Sequence, residues 1–520
     1  MNRRFQFFCL VLLVPFFSPG AIARAKEKTK PNVVIIMAND HAAFACGAYG
    51  NSVVKTPSID KLAAEGMRFT RAYSNCTDDT ASHQSFLTGR QSDSIGVCQF
   101  QTPLSQDAVT IADLVVFNGY QALAAGDLYL FTSGSSYGFA FPIYGQENAR
   151  SLLVDRGILP VKFAGTVHPD YEEIFKRPAR DHFNADNRPI RYHENDLYER
   201  IIAKHLVDDL SHARERPFLA YLGMLGPGDR GVFPVEYADS FATETLQLPQ
   251  VSNTDAQIMP NYYKTLSDND KKGIVAAYYT AVKFEDATVG TILKGLEDFG
   301  LAEKTVVIYL SDGGLMMGQH GRFDNADPYE PAVRIPLIIR WPGHTKPGSV
   351  SDALVESIDI FTTIADICGS SPPPEATGIS LVPLLEGKAE APGKHEMIFS
   401  ENLRIGQAMV RDDRYKLIYC SGRKPRDDGF ENGVPPERRE VRLFDLESDP
   451  DELTNVAAQP QNAALITKMK QEMLRRLLLH FSGALDFGPG ASVEDQLDLL
   501  LIPREKWRDV EGRIRAEVGG

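Results

Sequence analysis

Acidic and amide side chains follow two apolar, strand-like runs of the chain. Asn39 and Asp40 come after the run at residues 31–37, and Asp312 comes after the run at residues 305–310. Ligands of open α/β sheets bind at the carboxyl ends of the strands. The candidate ligand-binding residues at such strand ends are therefore Asn39, Asp40, Gly228, Asp312 and Gly313.

Cys76 is a possible nucleophile by residue type alone. A reactive thiol needs an electropositive neighbourhood that favours the thiolate. The acidic residues Asp78 and Asp79 follow Cys76 closely instead. We therefore interpret Cys76 as a small packed residue or a disulfide partner.

The sheet that must position these residues is indicated by a repeated pattern. Residues 31–37 form a continuous apolar run rich in β-branched side chains, which is typical of a strand buried on both faces of a parallel sheet. The same pattern returns at residues 217–222, 305–310 and 335–341, separated by helix-like stretches. This alternation predicts a doubly wound α/β sheet.

A long amphipathic helix is predicted between the second and third of these runs. Ser267 followed by acidic residues is a helix start signal, and the periodic pattern continues to about Phe299. Gly300 is its predicted C-cap.

A smaller unit is predicted at the C-terminal end. The composition shifts at the proline-rich residues 370–374, and after Leu384 the strand-like runs become short and alternating. We therefore divide the chain into a signal peptide (1–25), an α/β domain (26–385) and a C-terminal subdomain (386–520). The predicted strands of its small antiparallel sheet lie at residues 396–400, 407–410, 415–419 and 442–446, with helices from about residue 461.

Composition and charge exclude several classes of protein. Hydrophobic residues make up 43% and charged residues 24% of the 520 residues, as in soluble globular proteins rather than disordered or fibrous ones. The formal net charge is -14 and the pI is near 5.4. A general affinity for nucleic acid or an anionic membrane requires a basic surface, so neither is expected as a partner.

The N-terminus has the pattern of a secretory signal peptide. Two arginines precede an apolar run at residues 5–17, and a small-residue cleavage site follows at residues 21–25. The run is shorter than the roughly 17 to 25 residues of a spanning helix. We expect export to the periplasm or beyond, with no transmembrane anchor after cleavage. The mature chain keeps five cysteines, to which we assign no pairs: Cys46, Cys76, Cys98, Cys368 and Cys420.

Several motifs resemble those of the type I sulfatases, members of the alkaline phosphatase superfamily. They are PNVVIIMAND (31–40), TPSIDKLAAEG (56–66), SFLTGR (85–90), SDGG (311–314), GQHG (318–321) and RIPLIIRWPG (334–343). Residues 443–453 also resemble the closing strand and turn of that family. The resemblance covers nearly the whole mature chain and implies a large α/β domain with a smaller C-terminal subdomain.

The resemblance implies a demanding chemistry. Family members hydrolyse sulfate esters with a formylglycine hydrate, made from a cysteine in C-x-P/A-x-R, while calcium, Lys, His and Arg neutralise the sulfate. Such cations absorb the charge of the transition state. Counting back from SFLTGR, the nucleophile falls on Asp79 and the motif arginine on His83. An aspartate cannot become formylglycine, and Cys76 lacks the motif around it, so no formylglycine is expected.

Four further positions of the implied substrate pocket depart from the family pattern. Asp127 stands where the family has lysine, and Tyr129 stands where it has histidine. Gly228 replaces a sulfate-contacting histidine, and Asn325 replaces a late lysine. Because the cations that would neutralise a sulfate are missing, these replacements predict loss of catalysis.

The implied metal ligands depart less from the family. The family supplies two Asp after the first strand and an Asp with Asn or His after a later one, and these positions hold Asn39, Asp40, Asp312 and Gly313. Asp79 lies where formylglycine would touch the ion and can replace a lost carboxylate. The resemblance thus implies an oxygen site of Asn39, Asp40, Asp79 and Asp312, suited to calcium or magnesium. Alternatively, Asp40 and Asp312 merely cap neighbouring helices.

The leading functional interpretation is an exported sulfatase-family protein that has lost catalysis and has a binding or assembly role. Its partner would be a sulfated glycan or another protein. The alternative is an active hydrolase acting on sulfated glycans, either a sulfatase with altered residues or a relative that cleaves another ester with Thr80 or Asp79. A third interpretation is a purely structural scaffold. The nearby His41, His320 and Arg334 are interpreted as structural.

Overall fold

A computed structural model describes most of the chain after the predicted signal peptide. The described residues are 30–97, 102–131, 137–139, 154, 156–162, 166, 179–212, 216–228, 230–388, 395–422, 439–479, 487 and 490–501. The signal peptide and Cys98 lie outside them. The described part of Pro31–Gly520 belongs to one compact unit. In these ranges no helix combines the length and apolarity needed to cross a bilayer.

A seven-stranded sheet lies at the centre of the molecule. Its strands are β1 (Asn32–Asn39), β2 (Met67–Tyr73), β3 (Gln121–Gly126), β4 (Phe218–Pro227), β5 (Thr305–Ser311), β6 (Arg334–Arg340) and β7 (Ser349–Glu356). Their order across the sheet is β3-β4-β1-β5-β6-β2-β7. All neighbours are parallel except around β6, which runs antiparallel to β5 and β2.

Helices cover both faces of this sheet, as the doubly wound prediction requires. Their bounds are α1 (Pro57–Glu65), α2 (Asp79–Thr88), α3 (Ser92–Ile95), α4 (Ile111–Phe117), α5 (Ala179–His182), α6 (Tyr198–His212), α7 (Asn253–Ile258), α8 (Asn261–Thr265), α9 (Asp268–Asp298), α10 (Glu330–Val333), α11 (Asp359–Cys368), α12 (Val382–Leu385), α13 (Ala463–Leu478) and α14 (Val493–Leu500). Ile202 and Val289 anchor α6 and α9 in the core of one face. Phe86 and Phe361 anchor α2 and α11 in the core of the other.

The direction of β6 differs from the parallel arrangement that its continuous apolar run predicts. Its apolar run has the composition of the parallel strands β1 and β5, yet it returns antiparallel to β5. A parallel neighbour is usually reached through a crossover helix that packs on the sheet. Between β5 and β6 the chain forms only a 3-10 turn at Gln319–Gly321 and the short α10, so it turns back beside β5.

Helix α9 confirms the predicted long helix and both of its ends. Ser267 accepts a hydrogen bond from the backbone N–H of Asp270, whose carboxylate accepts one from the backbone N–H of Ser267. This capping box satisfies donors that the first turn leaves unpaired. The helix stops before Phe299, and Gly300 adopts φ 65°, the left-handed region that glycine favours.

A second sheet confirms the predicted C-terminal architecture. Its antiparallel strands are β8 (Ile398–Asn402), β9 (Gln407–Arg411), β10 (Tyr415–Cys420) and β11 (Glu440–Asp445), in the order β11-β10-β9-β8. Helices α13 and α14 contribute Met469, Met473 and Leu497 to a buried cluster with this sheet. The strands lie within a few residues of their predicted positions.

Strand β8 also holds the segment that leads into α2. Glu401 forms an isolated parallel bridge with Cys76, and its carboxylate accepts hydrogen bonds from Ser92 Oγ at 2.5 Å and the backbone N–H of Asp93 at 2.9 Å. The C-terminal sheet therefore helps to fix the start of α2, where Asp79 lies.

Candidate functional site

Helix α2 presents Asp79 and His83 one turn apart. Asp78 is the N-cap, and its side chain accepts a hydrogen bond from the backbone N–H of Ala81 at 3.3 Å. Residues i and i+4 of a helix lie on one face, and Nδ1 of His83 is 3.0 Å from the backbone oxygen of Asp79. Asp79 is half-buried, whereas His83 is fully buried.

The carboxylate of Asp312 is the centre of the site. Its Oδ1 accepts a hydrogen bond from the backbone N–H of Asp40 at 2.8 Å. Its Oδ2 accepts one from Nδ2 of Asn39 at 2.8 Å and lies 3.2 Å from Nδ1 of His83. Strands β1 and β5 are parallel neighbours, so their carboxyl ends bring Asn39, Asp40 and Asp312 together.

Asn325 joins two further carboxylates. Its Nδ2 donates a hydrogen bond to Oδ1 of Asp40 at 2.8 Å and lies 3.3 Å from Oδ1 of Asp79. Asn325 belongs to the segment between β5 and β6. The position where the resemblance implies a late lysine therefore lies in the site, and its neutral amide contacts two acids.

Tyr129 and Asp127 lie beside His83. The ring of Tyr129 stacks on His83 with centroids 4.3 Å apart, and its hydroxyl accepts a hydrogen bond from Nδ2 of Asn39 at 3.3 Å. Oδ1 of Asp127 accepts a hydrogen bond from the backbone N–H of Tyr129 at 2.8 Å. Burial raises the pKa of both side chains, and the charge of Asp79 raises the pKa of Tyr129 further. Tyr129 therefore stays a neutral phenol.

Gly228 and Gly313 approach the site without a side chain. Gly228 donates its backbone N–H to the backbone oxygen of Asn39 at 3.1 Å, and its φ of 57° lies in the left-handed region. A Cβ on Gly313 would lie 3.6 Å from Oδ1 of Asp40. Neither residue supplies the polar side chain that the resemblance places there.

Cys76 lies in surroundings that disfavour a reactive thiolate. Its thiol is buried and free. Burial raises its pKa well above the usual range, and the charge of Asp78 raises it further. The interpretation of Cys76 as a packed residue is thus confirmed. The disulfide alternative is not confirmed, and the thiols of Cys46 and Cys420 are also free.

Three polar residues near the motifs have structural contacts, as interpreted. His41 is fully buried with Nδ1 2.5 Å from a tyrosine hydroxyl, and burial lowers its pKa to about 4. Nδ1 of His320 is 3.0 Å from the carboxylate of Asp255. Nε of Arg334 donates to the backbone oxygen of Thr70 at 2.9 Å.

Ser82 is a residue of the site that sequence reasoning missed. Its hydroxyl donates to the backbone oxygen of Asp312 at 2.5 Å and lies 2.9 Å from the hydroxyl of Ser74. Positions i, i+3 and i+4 share a helix face. Once Asp79 and His83 are placed on a helix, that spacing brings Ser82 to the same face.

The arrangement of these oxygens does not fit a divalent cation. In the part of the chain that the structure describes, no three His, Cys, Asp or Glu side chains are grouped to hold one. Calcium takes about six to eight oxygen ligands. Here oxygens of Asp40, Asp79 and Asp312 are engaged by N–H donors of the chain. The implied ligands lie together, but they contact one another and Asn325.

Both parts of the chain match models of known families. The sulfatase family model matches residues 31–370, which is more than half of the sequence. The model described as N-sulphoglucosamine sulphohydrolase, C-terminal, matches residues 318–477.

Two relatives match this chain over most of their lengths. The N-acetylglucosamine-6-O-sulfatase of Bacteroides thetaiotaomicron is 25% identical over 508 residues, covering 87% of this chain and 86% of the relative. The arylsulfatase of Clostridium perfringens is 26% identical over 487 residues, covering 86% of this chain and 94% of the relative.

Solved structures share the fold. The phosphonate monoester hydrolase of Agrobacterium radiobacter superposes with a TM-score of 0.71 at 23% identity, covering 87% of this chain and 96% of that one. A protein solved with its substrate D-glucosamine-2-N,6-O-disulfate has a TM-score of 0.67 at 20% identity, covering 87% and 98%. At such identities the likeness shows the fold alone. The family match shows more: the chain belongs to the sulfatase family, within the alkaline phosphatase-like superfamily.

Proposed function

We propose that this protein is an exported member of the sulfatase family that does not hydrolyse sulfate esters and serves a binding or assembly role. The observation that carries the proposal is the aspartate at the nucleophile position. Asp79 opens α2, and its Oδ1 lies 3.3 Å from Nδ2 of Asn325. A carboxylate has no thiol to oxidise, so no formylglycine hydrate can form at this position.

The charge of the pocket supports the same proposal. A sulfate ester is an anion and needs cations around it in the transition state. Asp127, Tyr129 and Asn325 stand where the resemblance implies lysine, histidine and lysine. Two unit charges about 4 Å apart interact by roughly 4 kcal/mol at an effective dielectric of about 20, so an ionised aspartate in place of lysine turns attraction into repulsion. Burial raises the pKa of Asp127, which reduces this repulsion but supplies no cation.

The proposed partner is a sulfated glycan or another protein, met in the periplasm or outside the cell. The signal-like N-terminus supports export. The Bacteroides relative is named for a sulfatase activity on N-acetylglucosamine, which supports a glycan partner. The net charge of -14 argues against nucleic acid.

The alternative is an active sulfatase or related ester hydrolase. It is supported by the relatives named as sulfatases, which match at least 86% of this chain. Of the two candidate nucleophiles, Thr80 is fully buried and Asp79 is half-buried. Asp79 is therefore the residue through which such an activity would run.

Turnover assays distinguish the proposed inactive protein from an active hydrolase. The purified mature chain would be incubated with an aryl sulfate, sulfated glycosaminoglycans and a phosphonate monoester, with the Clostridium arylsulfatase as the positive control. We expect no product above that of the Asp79→Asn variant, which keeps the shape of the side chain without its charge. Product formed by the wild type and lost in Asp79→Asn would overturn the proposal. Calorimetry with sulfated oligosaccharides then tests the glycan partner.

A further inference from the structure

We infer that this site is closed by its own side chains and that the native protein holds no divalent cation there. The amides of Asn325 and Asn39 and the ring of His83 engage the carboxylate oxygens that a metal ion would need. The site thus differs from those of its family, whose members generally bind a metal ion, although its acidic side chains still lie together.

The nitrogen of Asn325 lies between two carboxylates. It is 2.8 Å from Oδ1 of Asp40 and 3.3 Å from Oδ1 of Asp79. An amide nitrogen carries two hydrogens and can donate one to each oxygen. A calcium ion bridging the same oxygens, at about 2.3 to 2.6 Å from each, would fall in the same gap. The amide and the ion therefore exclude each other.

Asn39 presents its donor end to the site. Its Nδ2 lies 2.8 Å from Oδ2 of Asp312 and 3.3 Å from the hydroxyl of Tyr129. A carboxamide ligates calcium or magnesium only through its oxygen. Turning that oxygen inward would place it against the Asp312 carboxylate, acceptor against acceptor, and would lose the hydrogen bond to Asp312. Asn39 therefore acts as a donor to Asp312 and not as a metal ligand.

The Asp312 carboxylate is satisfied by hydrogen-bond donors of the chain. Its side chain is fully buried, and a buried carboxylate is costly unless donors compensate for the lost water. The backbone N–H of Asp40, the amide of Asn39 and Nδ1 of His83 all lie within 3.2 Å of its oxygens. No cation is needed to hold Asp312 in the core.

This inference does not rest on the proposed loss of hydrolysis. A family member can bind metal without turnover, and Asp79 alone prevents formylglycine formation. Metal content and turnover are separate measurements, so either conclusion can fail while the other stands.

Metal analysis of the full mature chain is the first test. Protein purified without chelator and dialysed against calcium or magnesium is analysed by mass spectrometry for bound metal, and its Tm is measured with either cation or with EDTA. We expect no stoichiometric metal and the same Tm in all conditions. One bound ion per chain, or a Tm that rises and saturates with calcium or magnesium, would overturn the inference.

An Asn325→Ala variant is the second test. Without the shared donor, the carboxylates of Asp40 and Asp79 repel each other, so we expect the Tm in EDTA to fall by about 2 °C or more. Asn261→Ala deletes the same group at an exposed position of α8 and should leave the Tm unchanged. An unchanged Tm in Asn325→Ala would contradict the bridging role. If that variant does not fold, the wild-type metal content still decides.

Discussion

The ring of His83 lies against the buried carboxylate of Asp312, with Nδ1 of His83 3.2 Å from Oδ2 of Asp312 and 3.0 Å from the backbone oxygen of Asp79. Both neighbours are acceptors, so Nδ1 carries the hydrogen. The resemblance places an arginine at this position, and its charge would face a substrate. In this chain the side chain at this position lies in the protein interior instead.

We predict that His83→Ala destabilises the protein by about 2 to 4 kcal/mol. The variant leaves a cavity beside Tyr129, on which the ring stacks, and removes one donor from the buried Asp312 carboxylate. Urea unfolding followed by circular dichroism measures the change. His212→Ala, at the exposed end of α6, is the control. A loss no larger than that of the control would show that the ring contributes little to the fold.

We predict that completing the formylglycine motif restores the modification but not the activity. Ala81 already matches the alanine of C-x-A-x-R, so Asp79→Cys with His83→Arg gives the full motif, whereas Asp79→Cys alone lacks the arginine. With a formylglycine-generating enzyme co-expressed, mass spectrometry should detect conversion only in the double variant. Neither variant should release sulfate, because Asp127 and Tyr129 still replace cations. Turnover by the double variant would show that two positions alone account for the inactivity.

The buried strands and the long helix could be predicted because their side chains are apolar on all sides or at helical spacing. β1 and β5 are almost wholly buried, so their sequences read as continuous apolar runs. The edge strands β3 and β7 were not predicted: β3 is short and alanine-rich, and β7 is half-exposed at its start. The composition of β6 does not indicate its direction, because a strand buried on both faces is apolar whether it runs parallel or antiparallel to its neighbours.

The residues of the site could be predicted more readily than their contacts. Strand ends placed Asn39, Asp40 and Asp312 at one edge, and motif alignment placed Asn325 with them. Which end of a carboxamide faces a carboxylate depends on neighbouring donors and acceptors, here Asp312 and the Tyr129 hydroxyl. Such atomic choices arise only after the strands are packed, so a ligand set read from sequence does not show whether its oxygens are free.

A buried acidic pair away from the site gives a pH-dependent prediction. Glu199 of α6 and Glu285 of α9 are buried. Burial raises the pKa of Glu199 to about 7, and burial together with the charge of Glu199 raises the pKa of Glu285 well above its usual range. The folded state therefore keeps protons that the unfolded chain loses above about pH 4.5. Because of these two groups, the stability of the fold decreases as the pH rises from about 4.5 through about 7.

Replacing one glutamate of this pair should remove part of the loss of stability at high pH. We expect Glu285→Gln to raise the Tm relative to wild type at pH 8 and to change it little at pH 5, as measured by differential scanning calorimetry. Glu244→Gln, at an exposed position, should have no effect at either pH. An equal gain at both pH values would mean that packing, and not proton linkage, accounts for the change.

His395 gives a second pH-dependent prediction. The ionised form of this group is a cation, and its titration falls in a higher pH range. Burial alone lowers its pKa, but the charges of Asp359 and Glu356 outweigh burial and raise it to about 9. Nε2 of His395 lies 3.0 Å from both carboxylate oxygens of Asp359. A raised histidine pKa means that the protonated ring stabilises the fold fully below about pH 6.5, and that this contribution is lost as the pH rises through about 9.

We therefore expect the wild type to lose stability between about pH 6.5 and 9, by at most about 3 kcal/mol from this group. His395→Gln keeps a hydrogen-bond donor near Asp359 but cannot take up a proton. The variant should be less stable than wild type at pH 6 and should approach it at pH 9.5, in urea unfolding at each pH. His212→Gln, at the exposed end of α6, should follow the wild-type curve throughout. Parallel curves for His395→Gln and wild type would contradict the ion pair with Asp359, since a hydrogen bond to a neutral ring loses nothing over this range.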